Sequence, residues 1–105
     1  MDLNHIKTIL KEFANDRQWD QYHSPKNLTM AMSVEVSELV EIFQWMTEKE
    51  SCDLDSDKLL HTSQEVADVF IYLIILCMKL DIDLEQAVLD KIKLNVNKYP
   101  KTSSD

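Results

Sequence analysis

The sequence predicts an all-α protein of four helices whose bundle core is shared between subunits. Three observations carry that expectation. The 105 residues contain no glycine and only two prolines, Pro25 and Pro100, whereas sheet proteins need glycine in their hairpin turns. Apolar residues recur at helical spacing in four separate segments. Within the third segment, Val69 to Met78 is an unbroken apolar run, the pattern of a helix buried all round. A chain of this length cannot surround one helix alone, so a second subunit is expected to cover part of it.

The first helix is expected from Leu3 to Arg17, with Leu3, Ile6, Leu10 and Phe13 along one side. A polar connection, Gln18 to Lys26, carries Trp19, Tyr22 and His23. Ser24-Pro25 reads as an N-cap followed by proline at the first helical position. The second helix then runs to Lys49, lined by Leu28, Met32, Leu39, Phe43 and Met46. Glu50 to Asp57 is polar and acidic and reads as a loop. The third helix spans Lys58 to Leu80, and Asp83-x-x-Gln86 has the form of a capping box opening a fourth, Leu84 to Lys98. Leu89, Ile92, Val96 and Tyr99 form its apolar stripe, and residues 100–105 are expected to fray after Pro100. One domain is expected over residues 1–105.

A formal net charge of −8 argues against a chain that grips nucleic acid polymers through their phosphates. It leaves room for a nucleotide substrate, because bound cations invert local charge. Cys52 and Cys77 are far apart and form no C-x-x-C, so neither a zinc site nor a disulfide follows; Cys77 reads as a small core residue. The opening residues lack the basic-then-apolar pattern of a signal peptide. The Val69–Met78 run falls short of the about 20 residues that a membrane span needs. A cytoplasmic setting without a membrane partner is expected.

Two matched acidic motifs carry the chemistry. Helix two holds Glu35-Val-Ser-Glu38 and helix three holds Glu65-Val-Ala-Asp68. Each pair shares a helix face, and antiparallel packing lets all four carboxylates converge. Glu35 falls inside the apolar arc of Leu28, Met32, Leu39, Ile42 and Met46, while Glu65 and Asp68 share a side with Val69, Tyr72 and Leu76. Buried carboxylates are protonated, paired with bases or bound to a cation. A di-iron bundle needs Glu-x-x-His motifs, and none is present. An all-oxygen site suits magnesium or manganese, and magnesium usually binds substrate phosphates too. The plain alternative is a solvated acidic face. Two copies, each on the apolar side of a neighbouring helix, weigh against it. Asp53-Leu-Asp55-Ser-Asp57 imitates a calcium loop, but Lys58 replaces the required glycine and Gln64 the terminal acid, so it reads as a linker or helix cap.

With these motifs the chain resembles the MazG-like all-α nucleoside triphosphate pyrophosphohydrolases, and within them the dCTP pyrophosphatase branch. The resemblance rests on Arg17, Trp19, Tyr22, His23, Pro25, Asn27 and Leu28, on Glu35, Glu38, Leu39, Glu41, Phe43, Gln44 and Trp45, on Glu65, Asp68, Ile71, Tyr72 and Leu73, and on Asp83, Leu84, Gln86, Ala87, Val88, Lys91, Asn95, Tyr99 and Pro100. It covers about Leu3 to Pro100. Ser37 stands where the family often has glycine, a small-for-small exchange.

The resemblance implies that Glu35, Glu38, Glu65 and Asp68 bind Mg²⁺, with Mn²⁺ as a substitute. A water oriented by the metal and one of these acids then attacks the α-phosphorus, releasing pyrophosphate and a nucleoside monophosphate. Glu38 is favoured as the activating base. Trp19 and Trp45 resemble the residues that sandwich the base; on periodicity alone both read as core. Trp45 follows Glu38 by two turns on nearly the same face, so a nucleotide could reach from metal to indole. Lys91 and Asn95 are implied at phosphates or sugar, Tyr99 near the pocket and Tyr72 against the deoxyribose; the plain reading of the Lys91, Asn95 and Lys98 stripe is a solvated basic face. His23 and Asn27 fall in the base-site segment. Lys79 reads equally as a phosphate contact and a surface cation, and Glu41 as outer-shell or solvent-facing. A homodimer or a dimer of dimers is implied, as is dCTP or a modified cytosine deoxynucleotide as substrate. The rivals are a pyrophosphohydrolase for dUTP, a purine triphosphate or phosphoribosyl-ATP, a non-catalytic helical interaction module, and a metal-storage bundle.

Overall fold

The computed structural model describes residues 1–102, and they are helical throughout apart from short connections. The elements are α1 (Leu3–Asp16), a 3-10 turn (Asp20–Tyr22), α2 (Pro25–Phe43), α3 (Glu48–Ser51), α4 (Ser56–Leu80) and α5 (Leu84–Lys98). No strand occurs among the described residues, so the all-α expectation holds. Of the tail expected to fray, Pro100 to Thr102 lie in no regular element, and residues 103–105 fall outside the described residues.

Side-chain caps set the helix starts. Asp2 accepts the His5 N–H, Ser24 the Asn27 N–H, Asp55 the Lys58 N–H and Asp83 the Gln86 N–H, at 2.8–3.1 Å. Each satisfies one orphan donor of a first turn. The decoy acidic run thus ends in a helix cap, as its composition suggested.

Three boundaries differ from the sequence expectation, two of them slightly: α1 ends at Asp16 rather than Arg17, and the helix expected from Lys58 begins at Ser56. Helix two ends at Phe43 rather than Lys49. Thr47 starts a separate short helix through a reciprocal capping box, accepting the Glu50 N–H at 3.1 Å while its own N–H donates to Glu50 Oε1 at 2.9 Å. That box draws the backbone out of α2, and it also makes α3 out of part of the expected loop. At α5 the anticipated box is only half formed: the Gln86 side chain donates to Asp90 at 2.9 Å instead of returning to its cap.

Gln18 and Asp81 have φ of 55° and 54°, the left-handed conformation that ends a helix in a Schellman closure. Trp19 N–H donates to Ala14 O, and Ile82 N–H to Cys77 O, both at 2.9 Å. A chain without glycine makes these turns with side-chained residues.

Packing is dominated by α2 against α4, with α1 leaning on α4. The pair is antiparallel: Leu28 and Ala31 share a cavity with Tyr72, while Glu38 and Ile42 share one with Lys58, His61 and Glu65. Ala14, Leu28, Ile74 and Cys77 form the buried apolar core. The remainder of the Val69–Met78 run is only half buried. Helix α5 packs substantially on no other element, and Leu89, Ile92, Leu94 and Val96 on it are exposed. One chain therefore leaves open much of the apolar surface that the sequence marks for burial.

Candidate active site

The antiparallel pair brings the acids together. Carboxylate oxygens of Glu35 and Glu38 on α2 and Glu65 on α4 lie within 4.8 Å of one another. Asp68, one turn beyond Glu65, lines the same cavity as Glu35. Glu65 is 9 % exposed, a charged residue among core side chains. Glu35 Oε2 and Glu65 Oε2 are both buried with no hydrogen-bond partner. Oxygens in that state are costly unless something compensates them. His61 Nε2 stands 3.5 Å from Glu65 Oε1, too long for a good hydrogen bond. The donor set is all oxygen, clustered and short of partners, which fits a hard divalent cation.

Burial pushes the Glu35 carboxyl up from 4.5 to about 7, and the neighbouring Glu38, Glu65 and Asp68 carboxylates push the same way. The folded chain thus holds this proton more tightly than the unfolded chain. Its contribution to stability is fully present below about pH 4.5 and is lost as pH rises through about 7. In chelator, the melting temperature should therefore fall between pH 5 and pH 7.5 (about the window of the shift), and Glu35→Gln should flatten that fall. Thermal melts across this range check it; an unmutated protein with a level profile overturns the assignment.

A cavity of about 420 Å³ runs from Glu35 and Asp68 along Tyr72 and Ile75 to Phe13, Trp19 and His23. A neighbouring one of about 350 Å³ shares Trp19, His23 and Tyr72 and adds Tyr22, Asn27 and Leu28. Trp19 is 45 % exposed. It is placed by the α1 closure at Gln18 and by an edge-to-face contact with the Phe13 ring, 5.3 Å between centroids. Asn27 donates to the Tyr22 carbonyl at 3.1 Å, tying the 3-10 turn to the start of α2. Trp19, His23 and Tyr72, singled out from sequence, therefore line one cavity with Glu35 and Asp68, and Asn27 lines the adjoining one.

Others do not. Trp45 lies in the turn beyond α2, 89 % exposed. The face it was expected to share with Glu38 does not exist, because the helix stops at Phe43. Lys91 and Asn95 stand on α5 and Tyr99 just past it, away from the α2–α4 pair. Lys79 pairs with Asp20 rather than standing free. His5, His23 and His61 have no ligand-like mutual spacing in the sequence, yet His61 stands one turn before Glu65 at the cluster, and Phe13, on the apolar side of α1, lines the cavity.

An all-α chain with carboxylates facing across an antiparallel helix pair, beside an aromatic cavity, defines a class of helical acidic-cluster proteins suited to a divalent metal. The chain belongs to the MazG-like family, whose model matches residues 30–105. Similar proteins include dCTP pyrophosphatase 1 of Homo sapiens, 39 % identical over 100 residues, and that of Mus musculus, 38 % identical over the same length. The alignments take in 93 % of this chain but 59 % of those relatives, so the chain spans well under two thirds of their length. Among solved structures, a pyrophosphatase from Archaeoglobus fulgidus superposes with a TM-score of 0.91 at 40 % identity, over 96 % of this chain and 94 % of that one.

Proposed function

We propose that this chain is a Mg²⁺-dependent nucleoside triphosphate pyrophosphohydrolase, with dCTP or a modified dCTP as its substrate. The carrying observation is the cluster of Glu35, Glu38, Glu65 and Asp68, two of whose buried oxygens lack partners, opening onto the Trp19 cavity. The names of the similar proteins support the reaction and the base. Mn²⁺ is the expected substitute for Mg²⁺.

Glu35, Glu38, Glu65 and Asp68 would hold the cation. When bound there it offsets triphosphate charge and makes hydroxide accessible near neutral pH. The chain's own groups do the rest. Glu38, the exposed member of the cluster, accepts a proton from the attacking water. Trp19 stacks on the base, with His23 and Asn27 at its edge. Tyr72 packs between base site and acids, where a close aromatic disfavours a 2′-hydroxyl. Trp45, Lys91, Asn95 and Tyr99 complete the site from a second copy of the chain. The exposed apolar face of α5 and the half-open Val69–Met78 run support a homodimer, or a dimer of dimers, and a cytoplasmic setting belongs to the same proposal. No helix among the described residues is long and apolar enough to cross a membrane.

A panel of ribo- and deoxynucleoside triphosphates with Mg²⁺, scored for pyrophosphate against inorganic phosphate, tests the reaction. Pyrophosphate release, fastest with dCTP or a modified dCTP, is expected; release of inorganic phosphate alone contradicts it. Sedimentation should give a dimer or tetramer, and a stable, active monomer refutes the shared core.

A further inference from the structure

Trp19 sits between α1 and α2 on a segment with few ties. Its own N–H returns to Ala14 O at 2.9 Å, and Asn27 holds the Tyr22 carbonyl at 3.1 Å. The third tie differs in kind. The Lys79 ammonium meets the Asp20 carboxylate, on the residue after Trp19, across 59 positions of sequence. Among the described residues it is the one side-chain hydrogen bond or ion pair that joins distant parts of the chain. It fastens the 3-10 turn to α4, the helix that carries Glu65 and Asp68.

Lys79 stands at a telling register. Asp68, Tyr72, Ile75 and Lys79 follow at i, i+4, i+7 and i+11, one nearly straight line along α4. The first three line the cavity with Trp19 and His23; Ile75 and Lys79 line the adjoining one with Asp20 and His23. One face of α4 thus carries a site carboxylate at one end and the tie to the Trp19 segment at the other, about 16 Å along the axis at 1.5 Å per residue. The hydrogen bond from the Lys79 ammonium, and then its charge, hold the Asp20 carboxyl below its ordinary 3.8.

We propose that the Asp20–Lys79 ion pair is a positioning element that sets the Trp19 indole at a fixed distance from the acid cluster, so that it governs binding of the nucleobase end of the substrate and leaves the phosphate chemistry alone. This rests on the pyrophosphohydrolase reading above. Lys79 is then a structural partner of Asp20 and no phosphate ligand. Asp20 is largely exposed, with a side chain 73 % accessible. The pair is therefore weak and salt-sensitive, and the effect is modest.

The test uses the full chain with Mg²⁺ and dCTP, comparing Lys79→Met, Asp20→Asn, the double variant and Lys79→Arg. Each of the first two should raise KM about two- to fivefold with kcat unchanged, as befits an exposed pair. The double variant should be no worse than either single one, and Lys79→Arg should behave as wild type. Without nucleotide, hydrogen exchange at the Tyr22 and His23 amides, which close the 3-10 turn, should quicken in Lys79→Met and in wild type at high salt. Additive losses, a fall in kcat at constant KM, or unchanged exchange each overturn the proposal. A wild type that fails to hydrolyse dCTP sinks the functional reading, while the exchange measurement still decides whether the clamp exists.

Discussion

Alanine at Glu38 or Asp68 should lower pyrophosphate release at least about a thousandfold while the helical circular dichroism signal survives. The two halves of that outcome have one cause. Each acid belongs to a group whose members crowd one another: Glu35, Glu38 and Glu65 meet within 4.8 Å, and the Asp68 charge acts on Glu35. On the proposed mechanism, removing one carboxylate takes away a donor to the cation and, for Glu38, the proton acceptor. The same deletion relieves repulsion, so the fold is not weakened by it. A variant that both unfolds and loses activity would point to packing instead. Retained turnover in either variant removes that residue from the mechanism. The measurements are steady-state pyrophosphate release and a thermal melt of each variant in chelator.

Trp19→Ala should weaken nucleotide affinity by about 5- to 150-fold, the range that follows from stacking worth about 1–3 kcal/mol per base. The indole is suited to this because it is held by an edge-to-face contact with Phe13 and by its backbone at Ala14, yet remains 45 % exposed. Metal affinity should stay within error of wild type, because no atom of Trp19 belongs to the acid cluster. Calorimetric titration with Mn²⁺ alone and then with a non-hydrolysable dCTP analogue separates the two. Equal losses in both titrations, or none in either, discredit stacking.

Much of this was legible in the sequence because it is local. Ser24-Pro25 announced α2, Asp83 announced α5, and the acid-x-x-acid pairs on apolar faces announced their own convergence. Angular spacing suffices for such features as long as the helix persists. It failed at Trp45 because persistence itself failed. Thr47 and Glu50 carry a capping-box spacing, and the stronger apolar rhythm through Met46 masked it. The roles of Lys91, Asn95 and Tyr99 rest on family resemblance alone, for a different reason. Their helix has an apolar stripe but no partner within the chain, and periodicity says which side is sticky without saying what it meets. The Asp20–Lys79 contact joins residues far apart in sequence, so only the folded path of the chain reveals it.

The two left-handed residues at Gln18 and Asp81 have an implication for how this fold tolerates change. Each spends about 1–2 kcal/mol on a conformation that costs glycine nothing. Asp81 lies remote from the acids, so natural variation there is free to drift toward a more robust scaffold. Gln18 has no such liberty, since the residue after it is the indole. On the proposed reading, a looser joint at that corner gains ruggedness at the cost of a blunter grip on the base, so the same exchange is expected to have opposite consequences at two corners alike in backbone.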